Sequence, residues 1–355
     1  MTSLTHLPDI PSTMHAWVRR RRGPASTALE LVNDFPTPTV PTGSSSDVLI
    51  RVSHVSLQAN SEALMKMLPK LPLPGLSVPE LELSGEVVAA GEGAPAEVRD
   101  AGTHVVAFQN IPLWVLMGRG VLAEYVRLPG NQVARIQSTV DMASASGVHG
   151  CGSTALKMIR TADVRDGHTV LVNGASGSVG SMLVQLCKLR GAKVVGVASG
   201  GNEGMVRGLG VDEFVDYRKH DPLPDYLTKQ YSSEQFDFIL DCVGTQPLFA
   251  SSPAYLKPDG ALINVGVLEG FGAATRNYLV NAWLPTWLGG VPRRYIMFST
   301  PPNRDDTIYI ADLIEKGAVR VPVDTVFDME DAVDAYKRIA TKRARGKVVV
   351  KVRSD

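Results

Sequence analysis

Cysteine is scarce: the 355 residues contain only Cys151, Cys187 and Cys242, and no two stand in a C-x-x-C spacing. That excludes both a four-cysteine structural zinc and a disulfide framework. Cys187 falls on the apolar face of a helix-period segment and Cys242 ends an apolar run, so both read as small core residues. Net charge is lacking as well. Lys+Arg and Asp+Glu each number 36, so no field of one sign argues for nucleic acid or a membrane surface. No apolar run approaches the length of a membrane span. The stretch from Met1 to Pro11 is polar and contains proline, without the apolar core of a secretory signal. The expectation is a cytoplasmic protein with no nucleic-acid partner and no integral membrane segment; an organelle or a membrane surface stays open. The run Arg19–Arg22 reads as a strand end entering the Gly23-Pro24 turn, with solvated charges.

The chain is long enough for two domains, with 44% apolar residues and 33 glycines. Its first part reads as β, with strand candidates at Met14–Arg19, Ala28–Val32, Asp47–Val55, Glu82–Ala90, Gly102–Phe108 and Leu122–Leu128, separated by Gly- and Pro-rich turns. The spacing predicts a helix over Ala143–Arg160. From His168 onward strands alternate with helices. Phe236–Cys242 and Ala261–Gly266 are runs of buried parallel type, the second after the Pro258-Asp-Gly260 turn. Gly270–Pro292 fits neither period. Arg293–Ser299 reads as a strand, Asp305–Lys316 and Asp331–Thr341 as amphipathic helices, and Gly346–Val352 as a final strand. This alternation predicts an α/β doubly wound sheet.

The organising stretch is His168–Tyr217. A β-branched run meets the turn Gly174-Ala-Ser-Gly-Ser-Val-Gly180, a helix-period segment ends at Gly191, and a second apolar run ends at Ser199. That is the size and order of a dinucleotide-binding βαβ unit. Gly177 lets the backbone approach a pyrophosphate, and Gly180 lets the helix pack close to the strand. The helix beginning near Ser178 turns its free N–H groups toward the phosphates. An NAD-binding unit places an acid at the end of the second strand, where this chain has Ser199, followed by Gly200, Gly201 and Asn202. Ser199 and Asn202 can donate to a 2′-phosphate, so the expected cofactor is NADPH, with Glu203 as the residue that argues against it.

Motifs in fixed order extend this. Leu83-Ser-Gly-Glu-Val-Val-Ala-Ala-Gly91, Gly102-Thr-His-Val105, Ala123-Glu-Tyr-Val126, Gly152-Ser-Thr-Ala155, the 174–180 turn, Gly208–Tyr217, Asp237–Gly244 and Arg345–Val350 together resemble the medium-chain dehydrogenase/reductase superfamily, in its zinc-free quinone-oxidoreductase branch. The tail from Leu288 through Phe327 is most similar to the subgroup of mitochondrial reticulon-interacting oxidoreductases and chloroplast-envelope quinone oxidoreductase homologues. The resemblance implies a GroES-like β domain at residues 1–141 and 302–355, a Rossmann domain at 142–301, and an active site in the interdomain cleft. It also implies a homodimer, with Arg293–Ser299 as the candidate dimer strand.

Zinc-dependent relatives ligate their metal through a cysteine, the histidine of a Gly-His-Glu motif, and a later cysteine or acid. Here these positions fall on Gln58, Leu81 and about Gly150, so no catalytic metal is expected. Cys151 and His149 alone do not make a tetrahedral site. Without a Lewis acid, the natural chemistry is hydride transfer from the cofactor to a quinone or an alkene conjugated to a carbonyl. Gln58 is the candidate oxyanion donor and Tyr125 a candidate proton donor, although within its Ala-Glu-Tyr-Val strand Tyr125 reads first as a packing residue. The expected cofactor contacts are Thr154, Ala175, Ser176, Gly177, Ser178, Val179, Gly180, Ser199, Asn202, Tyr217, Val243, Val265, Gly266 and Lys347; the alternative for Lys347 is an exposed strand charge. Leu57, Trp114, Met117, Leu268, Phe271 and Trp283 suggest a bulky apolar substrate. Three functions follow: an NADPH-dependent quinone or enone reductase, a pathway-specific enoyl reductase of lipid or specialised-metabolite assembly, and an NADPH-binding protein with little turnover.

Overall fold

The structure is a computed structural model that describes residues 10–67, 77–110, 118–298 and 303–353. Trp114, Met117 and Ser299 lie outside the described residues. The chain forms two compact units, one of residues 1–153 with 301–355, the other of residues 154–300.

In the first unit, strands β1 (Thr13–Arg19) and β2 (Leu29–Pro36) pair antiparallel. A larger sheet is built from β3 (Asp47–Ser56), β4 (Glu82–Ala90), β5 (His104–Phe108), β6 (Tyr125–Pro129), β7 (Val133–Arg135), β14 (Val323–Asp328) and β15 (Lys347–Lys351). Its order is β14-β15-β3-β4-β5-β7, with β6 also paired to β3. Inward side chains such as Val18, Val48, Ile50, Leu83, Leu128, Val348 and Val350 make one buried core. Each contributes about 1.5–3 kcal/mol by leaving water. The C-terminal strand β15 runs antiparallel to β3, with Val350 opposite Val55. The Leu57 N–H donates to the Val348 carbonyl at 3.0 Å, which fixes the turn after β3 against the start of β15. The arginine run is used locally. Arg19 donates to the carbonyl of Met65, Arg22 to that of Lys66, Arg21 to that of Thr27, and Arg20 to Glu30.

In the second unit, β8 (Thr169–Asn173), β9 (Lys193–Ala198), β10 (Glu213–Asp216), β11 (Phe236–Asp241), β12 (Leu256–Asn264) and β13 (Arg294–Met297) form a parallel sheet. The order is β10-β9-β8-β11-β12-β13. Chain direction across the sheet therefore reverses between β8 and β11, and doubly wound sheets bind nucleotides at the carboxyl ends of the strands flanking that point.

Three expectations are corrected. The helix foreseen over Ala143–Arg160 is broken into Met142–Ala145, a π turn at Val148–Gly152 and the helix Ser153–Ala162. Residues 142–153 fall in the same compact unit as the strands that precede them. The Pro258-Asp-Gly260 sequence lies inside β12, where the pairing with β11 shifts register to absorb it. The aperiodic stretch contains a true helix, Phe271–Trp283, which buries Ala274 and Asn277 and exposes Leu279, Val280 and Trp283. Its pattern is inverted, which is why no apolar stripe was visible.

Candidate active site

In the first unit a buried ion pair is hydrogen-bonded to Gln58 and Gly150, two of the positions that the resemblance assigns to a metal's ligands. Glu82, the first residue of β4, and Lys347, the first of β15, are both buried, and the Lys347 ammonium donates to Glu82 Oε1. The same oxygen accepts from the Gln58 amide Nε2 at 2.6 Å, and Oε2 accepts from the Gly150 N–H at 2.7 Å. Burial works against the Lys347 charge, but the attraction of Glu82 outweighs it and holds the amine above its ordinary range. Glycines in and before the π turn make the space. A Cβ on Gly150 would lie 2.7 Å from Glu82 Oε2, and one on Gly147 would lie 2.8 Å from Lys347 Cγ. π turns recur at functional sites.

The pair decides how Gln58 points. An ionised carboxylate only accepts hydrogen bonds, so the amide must turn Nε2 toward Glu82. Among the described residues, one N–H and the Oε1 of the half-buried Gln58 are left for another partner. Two residues earlier Glu80 is also fully buried, and its carboxylate accepts from the Gln58 N–H and the Ser61 hydroxyl, both at 3.0 Å, and from the Tyr336 hydroxyl. Burial pushes the Glu80 carboxyl up to about 7, against these hydrogen bonds and the nearby Lys347 charge.

These residues do not fit a catalytic metal. The three ligand positions carry an amide, the alkyl side chain of Leu81 and a glycine, and the neighbouring carboxylate is committed to Lys347. Among the described residues no group of three or more His, Cys, Asp or Glu is placed to hold one. Cys151 is buried, donates to the Gly147 carbonyl at 2.8 Å, and is pushed up to about 12 by burial, so it is an inert thiol. His149 stacks on Phe108 with ring centroids 5.2 Å apart and shares a 2.9 Å hydrogen bond with Thr307. Burial pushes it down to about 3, which makes it a neutral imidazole.

Lys347 is not the exposed strand charge offered as one reading; its ammonium is spent on Glu82. Tyr125 is not brought to Gln58. It pairs with Arg51, seven positions back along the chain and on the order of 20 Å away at the usual strand rise. Its ring packs against the core, so the packing reading describes it. Leu57 is core too, at 1% exposure. Sequence reasoning missed Glu80 and Tyr336. The one local signal was that the glycine of the Gly-His-Glu motif falls on a glutamate.

In the second unit the glycine turn has the form a pyrophosphate needs. Gly177 caps the helix Ser178–Leu189 without any side-chain hydrogen bond, and Ser181 N–H to Gly177 O (2.9 Å) is the first helical bond. The N–H groups of Ser178, Val179 and Gly180 are therefore left to point outward. A Cβ on Gly180 would sit 2.1 Å from the Gly174 carbonyl, so only glycine permits this helix–strand approach. Ala175 is buried beneath the turn. Asn202 Nδ2 donates to Ser176 Oγ at 3.0 Å and Ser199 Oγ at 3.1 Å, tying the turn to the end of β9. Glu203 pairs with Arg207 at 2.8 Å. Tyr217 is exposed, with the Arg218 guanidinium 5.9 Å from its ring centre. Asp216, not singled out from the sequence, packs against Gly200 and accepts from the Arg218 N–H at 3.0 Å.

At the ends of β11 and β12 a second set of contacts shapes the backbone. Buried Asp241 accepts from the N–H of Val243 (2.8 Å) and of Gly244 (3.1 Å) and from Asn173 Nδ2 (2.9 Å). Asn264 Oδ1 accepts from the Gly266 N–H at 2.8 Å, and the Val265 N–H donates to the Asp241 carbonyl at 3.0 Å. Burial raises the Asp241 carboxyl. The turns carrying Val243, Val265 and Gly266 are thus held by side chains from the strand ends beneath them. Thr154 lies in the first turn of its helix, half-buried.

Two outcomes are expected. Replacing Lys347 by Met leaves Glu82 buried without its counter-charge and should cost about 3–5 kcal/mol in urea unfolding, part of it recovered by adding Glu82→Gln. A loss below about 1 kcal/mol would contradict the pairing. Glu80 gives a pH signature. Its folded pKa, about 7, lies above the 4.5 of a free glutamate, so its contribution is full below 4.5 and disappears as pH rises through 7. Relative to Glu80→Gln, the native protein should lose stability between those values. A constant difference across the window would show that Glu80 does not hold its proton.

Known families and structures are similar to this chain over most of its length. An alcohol dehydrogenase GroES-like domain matches residues 44–138, and a zinc-binding dehydrogenase domain matches residues 209–350. A medium chain reductase of an Acremonium species is 43% identical, the match covering 96% of this chain and 99% of that protein. A trans-enoyl reductase of Penicillium oxalicum is 31% identical, covering 97% of this chain and 99% of its own. The solved quinone oxidoreductase of Coxiella burnetii is similar with a TM-score of 0.79 at 25% identity, covering 96% of this chain and 100% of that one. With a near-full-length relative at 43% identity and the ordered motifs falling on the strands and turns described, the chain belongs to the medium-chain dehydrogenase/reductase superfamily, as an oxidoreductase of its quinone-oxidoreductase and enoyl-reductase branch.

Proposed function

We propose that this protein is an NADPH-dependent reductase that delivers hydride to a quinone or an α,β-unsaturated carbonyl without a metal. The observation that carries the reading is the Gln58–Glu82–Lys347 arrangement, which presents an oriented amide donor where zinc-dependent relatives hold an electrophile. The nicotinamide, when bound, supplies the hydride. The chain's own residues do the rest. Ser178, Val179 and Gly180 N–H groups receive the pyrophosphate, and the turns at Val243 and Val265–Gly266 line the nicotinamide half. Gln58 directs its remaining N–H at the acceptor's carbonyl oxygen, where negative charge grows as hydride arrives. A conjugated acceptor is already polarised, so one amide donor suffices where an isolated ketone would need a metal.

Several features support NADPH over NADH. Ser199 rather than an acid ends β9, and the Ser176–Asn202–Ser199 cluster groups hydroxyl and amide donors there. Glu203 is held by Arg207, and Arg218 lies beside Tyr217. A second reading, a pathway-specific enoyl reductase, shares this chemistry. It is favoured by the resemblance to the trans-enoyl reductase of Penicillium oxalicum. The exposed apolar side chains Leu268, Trp283, Trp287 and Leu288 lie in the same unit as the edge strand β13. A strand at the sheet edge and exposed apolar side chains in the same unit support a homodimer formed through that unit.

NADPH oxidation measured against a panel of quinones, enones and 2-enoyl thioesters should show turnover with at least one class. Tight NADPH binding with no turnover on any acceptor would instead favour a binding protein. A leucine at Gly177 should abolish NADPH binding, and unchanged affinity would remove the pyrophosphate from this turn. Light scattering should give a dimer mass for the native protein and a monomer for Trp287→Glu combined with Leu288→Glu; a native monomer would defeat the dimer.

A further inference from the structure

Glu80 is built at a disadvantage that its neighbours do not share. Its φ is 67°, a left-handed conformation that only glycine adopts without strain, and its carboxylate is fully buried. Strain of this kind persists where surrounding bonds overdetermine it, and it concentrates at functional sites. The bonds here are specific. Oε2 accepts from the Gln58 N–H and the Ser61 hydroxyl, each at 3.0 Å, so both ends of the 58–61 turn are fastened to one oxygen. Oε1 accepts from Tyr336, itself 1% exposed on the helix Ala332–Ala340. Gln58 is therefore gripped twice, by its backbone through Glu80 and by its side-chain amide through Glu82.

We propose that Glu80 is a positioning residue for the reduction: it clamps the turn that carries Gln58, so that the amide rotated by Glu82 keeps its free N–H on one line. The inference rests on the reading of Gln58 as the donor to the acceptor oxygen. An oxyanion donor acts only when it is already in place as charge develops, and a displacement near 1 Å can cost up to about a hundredfold in rate. Glutamate suits the task because one carboxylate can accept from the backbone, from Ser61 and from Tyr336 together. Glycine would relieve the backbone but fasten nothing.

The test compares Glu80→Gly, Glu80→Gln and Gln58→Ala, alone and with Glu80→Gly and Gln58→Ala combined, using NADPH and an acceptor that the native enzyme reduces. Glu80→Gly should lower kcat roughly tenfold with KM for NADPH unchanged, and should do so although the strain is relieved. Glu80→Gln keeps an acceptor for the turn and should restore most of kcat. In the Gln58→Ala background Glu80→Gly should slow turnover no further. Undiminished kcat in Glu80→Gly, or losses that multiply in the double variant, would overturn the clamp while leaving the reading of Gln58 standing. A Gln58→Ala enzyme as fast as the native one would instead remove that reading and the clamp with it.

Discussion

The buried pair of Glu82 and Lys347 is the constraint on which the first unit depends. Two opposite charges out of water are tolerable only when each finds its partner and the remaining lone pairs are filled. The chain meets both conditions with Gln58 and the Gly150 N–H. Meeting them dictates glycine at 147 and 150, because a Cβ at either place would collide with the pair. It also requires that the last strand return beside the end of β3, since Lys347 is the first residue of β15. The discontinuous first unit, closed by residues 301–355, is the covalent expression of that pairing.

The same logic separates this chain from metal-dependent relatives. A zinc site draws its ligands inward by coordination, whereas here a carboxylate and an ammonium neutralise each other and leave an amide as the polar group on offer. The second unit needs no such device. Its task is set by backbone geometry: a helix start without a side-chain cap, a glycine packed against a carbonyl, and turns fixed by Asp241 and Asn264.

Much of the fold was legible in the sequence. Runs such as Val170–Val172 and Phe238–Leu240 are apolar because parallel strands are covered on both faces, and the spacing of the Gly174–Gly180 turn marks the passage from strand to helix. What escaped has physical causes. The π turn replaces a helix that periodicity favoured, because Gly147 and Gly150 make room for Lys347 and Glu82 rather than serve helical propensity. The helix Phe271–Trp283 exposes its apolar side chains, so its pattern reads backwards. Lys347 reads as a cofactor contact or a surface charge until Glu82, 265 residues earlier, is placed against it. Glu80 and Tyr336 are as remote in sequence, and only the tertiary fold joins them.

The account stands or falls on whether an ion pair has taken the metal's place. The most direct measurement is metal content by elemental analysis on protein that is turning over NADPH and an acceptor, before and after a strong chelator. The expected result is full activity with no stoichiometric zinc and no change on chelation. One tightly held zinc per chain, with activity lost on its removal and regained on its return, would contradict the account.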